Sequence, residues 1–173
     1  KADYLFVSAP ENVAWLLNIR GFDNPTSPIP NSRLIVGKNK KLLLITKKNN
    51  IQKISKEKKI KKNQVIDFHK FKELINKLNG ANFIIDSLSC SVFAERVIKS
   101  KFKILKKKDP IYRLKSIKNP SEIKHMIEAH KKDGLALTKF IYWIKNIKKK
   151  NLTEVGAQNK LEKFRKMNKD YLF

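Results

Sequence analysis

The sequence predicts an α/β fold, a mixed sheet with helices on both faces, followed by two helices that belong to an incomplete second unit. Three observations carry this expectation. Short apolar runs alternate with helical spacing up to residue 110. Two neighbouring apolar runs are joined by a Gly-containing turn, which makes at least one strand antiparallel. After Pro110 the strand pattern stops and only helical periodicity remains.

Tyr4–Val7 reads as a short buried strand. Pro10-Glu11 opens a helix through Trp15-Leu16-Leu17, with Pro in the first turn and Glu where the helix dipole favours an anion. Gly21, after Arg20, is the expected stop. Three prolines at 25, 28 and 30 then forbid both helix and central strand. Arg33–Val36 and Leu42–Thr46 read as strands around the turn at 37–40. Residues 47–62 are a Lys-rich connection, and a Lys-rich edge also discourages sheet-to-sheet association. Val65–Phe68 has strand character. His69–Leu78 has helical spacing and stops before Gly80, with His69 as a helix-start residue. Phe83-Ile84-Ile85 is a buried strand, Phe93–Ile98 a helix and Phe102–Leu105 a last short strand.

Asn119-Pro120-Ser121-Glu122 caps a helix of roughly 28 residues. Its apolar stripe is Ile123, Ile127, His130, Gly134, Leu137, Ile141 and Ile144. Thr153-Glu154 caps a second helix with Ala157, Leu161 and Phe164 on one side. No strand follows to cover these stripes, so large apolar side chains in 120–168 are expected to lie open to water. The expected division is 1–112 for the α/β part and 113–173 for a linker and the opening helices of another domain. The chain begins at Lys1 and ends on Tyr171-Leu172-Phe173, and both ends read as cut from something longer.

Composition limits the functions. Lys+Arg total 40 against 15 Asp+Glu, a formal charge of +25. Residues 1–37 hold three cations and three anions, 38–62 eleven Lys and one Glu, and the rest carries the remaining 26 cations and 11 anions. Only five of the cations are Arg, the side chain whose planar fork suits phosphates and base edges. The Lys-rich surface therefore implies weak, salt-sensitive attraction to polyanions and no specific nucleic-acid reading. A Lys-rich polyanion-binding module is the alternative function. One cysteine, Cys90, excludes an internal disulfide and a thiolate cluster, and reads as a small buried hydrophobe. No apolar run approaches the ~20 residues a membrane span needs.

No catalytic or metal-binding set is expected. His125 and His130, flanked by Glu128 and Asp133, are five residues apart. That spacing puts the rings about 140° apart on a helix, where a zinc helix needs i and i+4. The five glycines form no phosphate-cradling cluster. Arg20 and Asp23 flank Gly21 at a helix-to-loop junction in an otherwise neutral, apolar segment. They form either a local bridge that orders the loop or the rim of a binding cleft.

The segment ENVAWLLNIRGFDNP at 11–25 resembles the second domain of three-domain aminopeptidase P enzymes, of peptidase family M24. Residues 114–146, with NPSEI and AHKKDGLAL, are similar to that family's linker and the first helix of its pita-bread catalytic domain. Residues 152–171, with Thr153-Glu154 and EKFR, are similar to its next helix. The resemblance implies a creatinase/prolidase N-terminal-like α/β domain followed by the start of an α+β pita-bread domain. It implies a cytoplasmic, homodimeric parent that removes the residue preceding proline from peptides with proline second, using two divalent metals, usually manganese. The family's metal ligands lie beyond the point matching Phe173. The segment is thus expected to hold no metal and no catalytic residue, to cover the cleft and to support subunit contacts. Arg20, at the matched Arg-Gly, is the one candidate for lining that cleft.

Overall fold

β1, Tyr4–Val7, is the strand from which the sheet is built outward. In the computed structural model, which describes residues 2–47, 60–147 and 152–171, it pairs antiparallel with β2 (Ser32–Gly37) and parallel with β5 (Asn82–Ile85). β3 (Leu42–Thr46) continues antiparallel from β2 and carries β4 (Val65–Asp67) in parallel. β6 (Lys103–Lys106) lies parallel to β5. The order is β4-β3-β2-β1-β5-β6, a mixed sheet as the hairpin and the alternating elements imply.

The two-residue period of the strands sorts the core. Phe6, Ile35, Leu43, Ile45, Phe83 and Ile85 face α2 (Phe71–Lys77) and α3 (Val92–Lys99). Val7, Leu34 and Leu44 face the other way and pack with Val13 of α1 (Pro10–Leu17) and Ile111 of α4 (Ile111–Ser116). Tyr4, Phe83 and Phe102 form an aromatic triad with centroids 5.1–5.7 Å apart, and the Tyr4 hydroxyl donates to the Asn79 carbonyl at 2.8 Å.

Asp3 fixes the amino end of the β1–β5 pair. Its carboxylate accepts from the N–H groups of Ala81 (2.8 Å) and Asn82 (3.0 Å) and from Lys38 Nζ (2.7 Å). Gly80, at φ +156°, makes the approach possible. A Cβ there would sit 3.0 Å from the Asp3 Cβ, in a backbone conformation that other residues avoid. The Lys38 bond and the two N–H donors hold the Asp3 carboxyl well below the usual carboxylate range.

Several local expectations are corrected. α1 ends at Leu17, with Asn18 in the left-handed region (φ 49°) and its N–H bonded back to the last turn. Asn supplies the cap that Gly21 was expected to supply. His69 lies in a short 3-10 turn, Phe68–Lys70, capped by Asp67, and the α-helix begins only at Phe71. Residues 111–116 form a helix where a linker was expected, because Asp109 and Pro110 supply the cap and first turn. Most of the Lys-rich connection at 47–62 lies outside the described residues.

By contact density the chain divides into residues 1–116 and 117–173. The second unit is α5 (Pro120–Asn146) and α6 (Glu154–Lys166). Asn119 and Glu122 close the expected capping box, and Thr153 caps α6 through the Gly156 N–H. The α5 stripe is open: Ile123, Ile127, Leu137 and Ile141 are 42–50 % exposed, His130 and Gly134 are exposed, and Ile144 is half-buried. Ala136 is the one fully buried residue among those described on α5.

Two outcomes follow. Asp3's depressed value means that its contribution to stability is present above about pH 4, the unfolded value, and lost as pH falls toward the folded value. The stability advantage of the wild type over Asp3→Asn should therefore shrink as thermal melts move from pH 7 to pH 2.5. A constant gap would show that the carboxylate is not the source. In hydrogen exchange on the monomer, amides of 123–144 should exchange at least ~100-fold faster than those of β5, since so little of α5 is buried. Equal protection would contradict an open stripe.

Candidate functional site

The loop after α1 carries Arg20. Its course is set by backbone bonds within the loop. The Gly21 N–H donates to the Pro28 carbonyl at 3.1 Å, and a Cβ at position 21 would lie 2.8 Å from the Pro30 Cβ, so the two arms close on a residue without a side chain. Asp23 Oδ2 accepts from the Asn31 N–H at 2.7 Å, and Asn24 Oδ1 takes the Thr26 N–H and hydroxyl at 3.2 Å. Ile19 anchors the start of the loop in the core at 5 % exposure. Arg20 itself is exposed, its Nη1 donating to the Ile19 carbonyl at 2.9 Å. Phe22, next to Gly21, is 77 % exposed. The loop is thus a self-bonded tongue presenting a cation and an aromatic ring to solvent.

A second polar region sits at the carboxyl ends of β1 and β5. The chain leaves β1 for α1 on one face and β5 for α3 on the other, which makes this the topological switch point of the sheet. Four buried polar side chains gather there: Ser8, Asn12, Asp86 and Asp109, none more than 4 % exposed. Asp86 Oδ2 accepts from the Asp109 N–H (2.8 Å) and Oδ1 from the Leu88 N–H (3.0 Å). Asp109 Oδ1 accepts from the Ile111 N–H (2.9 Å) and Oδ2 from Asn12 Nδ2 (2.7 Å). The Ser8 and Ser89 hydroxyls share a bond at 2.7 Å. Asn12 Oδ1 is buried without a partner among the described residues.

This region binds backbone. Each carboxylate oxygen is taken by an N–H donor, which leaves little to offer a metal. Among the described residues no group of three His, Cys, Asp or Glu is placed to hold an ion. His125 and His130 both lie exposed on α5, and Asp133 is taken by Arg165, whose Nε donates at 2.7 Å and holds the carboxyl below its ordinary value. Cys90 is half-buried, and burial, with Glu95 adding to it, pushes its thiol up to about 11. It is therefore protonated at neutral pH and a poor nucleophile.

Sequence reasoning passed over Asn12, Asp86 and Asp109. Asp109-Pro110 carried a usable signal, a helix cap followed by proline at the first position. Asn12 and Asp86 carried none, since their roles depend on partners 97 and 23 residues away.

Comparison with known proteins identifies the family and agrees with the fold. The chain is 30 % identical over 181 residues to Xaa-Pro aminopeptidase 1 of Dictyostelium discoideum, covering 99 % of this chain and 28 % of that protein. It is 30 % identical over 187 residues to Xaa-Pro aminopeptidase ApepP of Drosophila melanogaster, covering 99 % and 29 %. It thus spans under a third of the length of these relatives. Among solved structures, an X-prolyl aminopeptidase from Caenorhabditis elegans, described as a cytosolic enzyme with a di-nuclear active site, superposes with TM-score 0.74. That match is at 19 % identity, over 99 % of this chain and 29 % of the other. Prolidase from Pyrococcus furiosus superposes with TM-score 0.67 at 24 % identity, over 96 % and 45 %. Residues 1–122 match the Creatinase/Prolidase N-terminal domain, and the chain belongs to that family.

Proposed function

We propose that this chain is the non-catalytic portion of an Xaa-Pro aminopeptidase whose full-length form removes an N-terminal residue preceding proline. The observation that carries the reading is the extent of the match. The likeness to Xaa-Pro aminopeptidases runs over 99 % of the chain and so continues into α5 and α6, past the Creatinase/Prolidase N-terminal domain at 1–122. On this reading 1–112 is the creatinase-N-like domain. Residues 113–173 are the linker and first helices of a pita-bread domain, and the open α5 stripe is the face that the rest of that domain covers.

By resemblance, the full-length enzyme would use two divalent metals, manganese being the expected ion, which would polarise the scissile carbonyl and activate a water. The described residues do not fit such a centre. Their buried carboxylates are saturated by N–H donors, their α5 histidines diverge, and Lys outnumbers acid. No catalytic step is assigned to this chain. Its role is to limit access to the cleft and to support contact between the subunits of a cytoplasmic homodimer. Arg20, held on a closed tongue with its guanidinium exposed, lines the cleft and meets a peptide carbonyl or carboxylate there. The net charge of +25 favours polyanion binding as the second reading, carried by Lys and weakened by salt.

The isolated 173-residue chain should bind Mn²⁺ no more tightly than about 1 mM and leave Xaa-Pro peptides uncut. A micromolar two-site isotherm in titration calorimetry would overturn this. In the full-length enzyme, Arg20→Ala should lower kcat/KM for an Xaa-Pro peptide about 10-fold. Metal content and melting temperature should stay the same. Unchanged kinetics would remove Arg20 from the cleft.

A further inference from the structure

On the α2/α3 side of the sheet, at the carboxyl end of β1, lies a cavity of about 190 Å³. Phe6, Ile45 and Phe71, each no more than 5 % exposed, form its apolar wall. Phe93, 65 % exposed, stands at its mouth. Three polar residues line it, Ser8, Arg33 and Ser91. The Ser8 hydroxyl is already bonded to that of Ser89 at 2.7 Å, which leaves Arg33 and Ser91 to meet a guest.

Arg33 is half-buried there. Its hydrogen bonds among the described residues both leave from Nη1, to Asn31 Oδ1 at 3.2 Å and to the Ser32 carbonyl at 2.8 Å. That leaves the Nε and Nη2 protons to be satisfied. No carboxylate lies within ion-pair distance of it among the described residues. Glu11 acts on it only at longer range and accepts the Tyr112 hydroxyl at 3.1 Å. A guanidinium stays charged at any physiological pH, and burying a charge without a partner is costly. Ser91 accepts the Ala94 N–H at 3.3 Å as the cap of α3, so its own hydroxyl proton is left to donate.

A cation and a free hydroxyl beside an apolar wall select an anion with an apolar body. A phosphate or other compact polyanion would gain nothing from three aromatic and aliphatic walls. At about 190 Å³ the space is below the ~300 Å³ of ordinary ligand pockets, which limits the guest to one side-chain-sized group. We propose that this cavity binds a small monocarboxylate bearing one apolar group. The carboxylate lies on Arg33 and the Ser91 hydroxyl, and the apolar group lies against Phe6, Ile45 and Phe71. The source is either a free acid or the C-terminal residue of a peptide. The inference does not depend on the aminopeptidase reading.

The test is titration of the 173-residue chain, followed by NMR, with 3-phenylpropionate as the free acid and N-acetylphenylalanine as the chain end. The corresponding amides are the controls. At least one acid should bind with a Kd of about 0.1–1 mM, and its amide at least ~10-fold more weakly. Phenylpropionate alone identifies the free-acid form, and both acids the chain-end form. Arg33→Gln should weaken binding ~10-fold with the fold retained by circular dichroism. Phe93→Ala, at an exposed position that threatens no core, should weaken it ~3-fold and decides the matter if Arg33→Gln fails to fold. Absence of binding at 10 mM, equal binding of acid and amide, or full affinity in the variants would overturn the proposal.

Discussion

Asp109 and Asp86 place two carboxylates at the centre of the α/β unit, at 2 % and 4 % exposure. A buried carboxylate is tolerated only when its lone pairs are met by donors. Here Asn12, Ile111, Leu88 and the Asp109 N–H meet them at 2.7–3.0 Å. The bonds join segments far apart in the chain: α1 through Asn12, the end of β5 through Asp86, and the start of α4 through Asp109. They gather at the carboxyl ends of β1 and β5, where the connections of the sheet change sides. Losing one donor would leave a buried carboxylate short of a hydrogen bond, at a cost of about 1.5–3 kcal/mol. That is a large fraction of the 5–15 kcal/mol that keeps a domain folded. The clamp therefore fixes where β1 ends and where α1 begins, and from these follow the direction of the tongue that carries Arg20 and the mouth of the Arg33 cavity. Asn12 Oδ1, a fully buried side-chain oxygen left without a partner among the described residues, is a residual cost of the same arrangement.

What the sequence revealed was whatever depends on near neighbours. The strands were legible because Leu34/Ile35 and Leu43/Leu44/Ile45 alternate between two cores, and a strand with both faces buried shows as a continuous apolar run. The caps at Asn119 and Thr153 were legible because their acceptors lie three residues on. α4 was not, since six residues with one buried position, Ile111, leave no periodicity to read. Asn18 was overlooked for a related reason: a left-handed cap is cheapest for Gly, yet Asn takes it often enough that the nearer residue prevails. The polar clamp and Arg33 lay beyond reach altogether. An Asp whose two oxygens are both taken by buried N–H donors and an Asp on a solvated face have the same letter, and only the three-dimensional path of the chain separates them.

The candidate site divides in the same way. Arg20 could be picked out because it sits in a neutral, apolar stretch with a specific neighbourhood, and the structure gives it an exposed end on a closed loop. Arg33 stands in the same stretch and attracted no notice, because arginine in a strand most often snorkels to water. Its difference is positional. β2 starts beside the end of β1, so the second residue of β2 is directed toward the switch point, where Phe6 and Phe71 leave it half-buried.

The helical unit is held by a different balance. Its ion pairs include Arg165–Asp133, Lys132–Asp170, Lys131–Glu128 and Lys166–Glu162, at the surface, where such pairs contribute about 0–1 kcal/mol each. Lys160 over Trp143 and Phe164 adds a contact of similar size. Against these stand Ile123, Ile127, Leu137 and Ile141, each with four-tenths or more of its surface in water, when full burial of such a side chain is worth about 1.5–3 kcal/mol. Forgone burial thus equals or exceeds what the surface pairs supply. The capping box of α5 and the Thr153 cap of α6 satisfy first-turn donors locally and so favour helix at both starts. They do not explain why α5 runs for 27 residues with one fully buried position among those described. A helix of that length and composition reaches full stability only when its apolar face is covered. Charge on the opposite face keeps it soluble and specifies which side remains for a covering surface. In this chain the sheet completes itself around the Asp86–Asp109 clamp, whereas the helices hold their shape by caps and hold their apolar face in reserve.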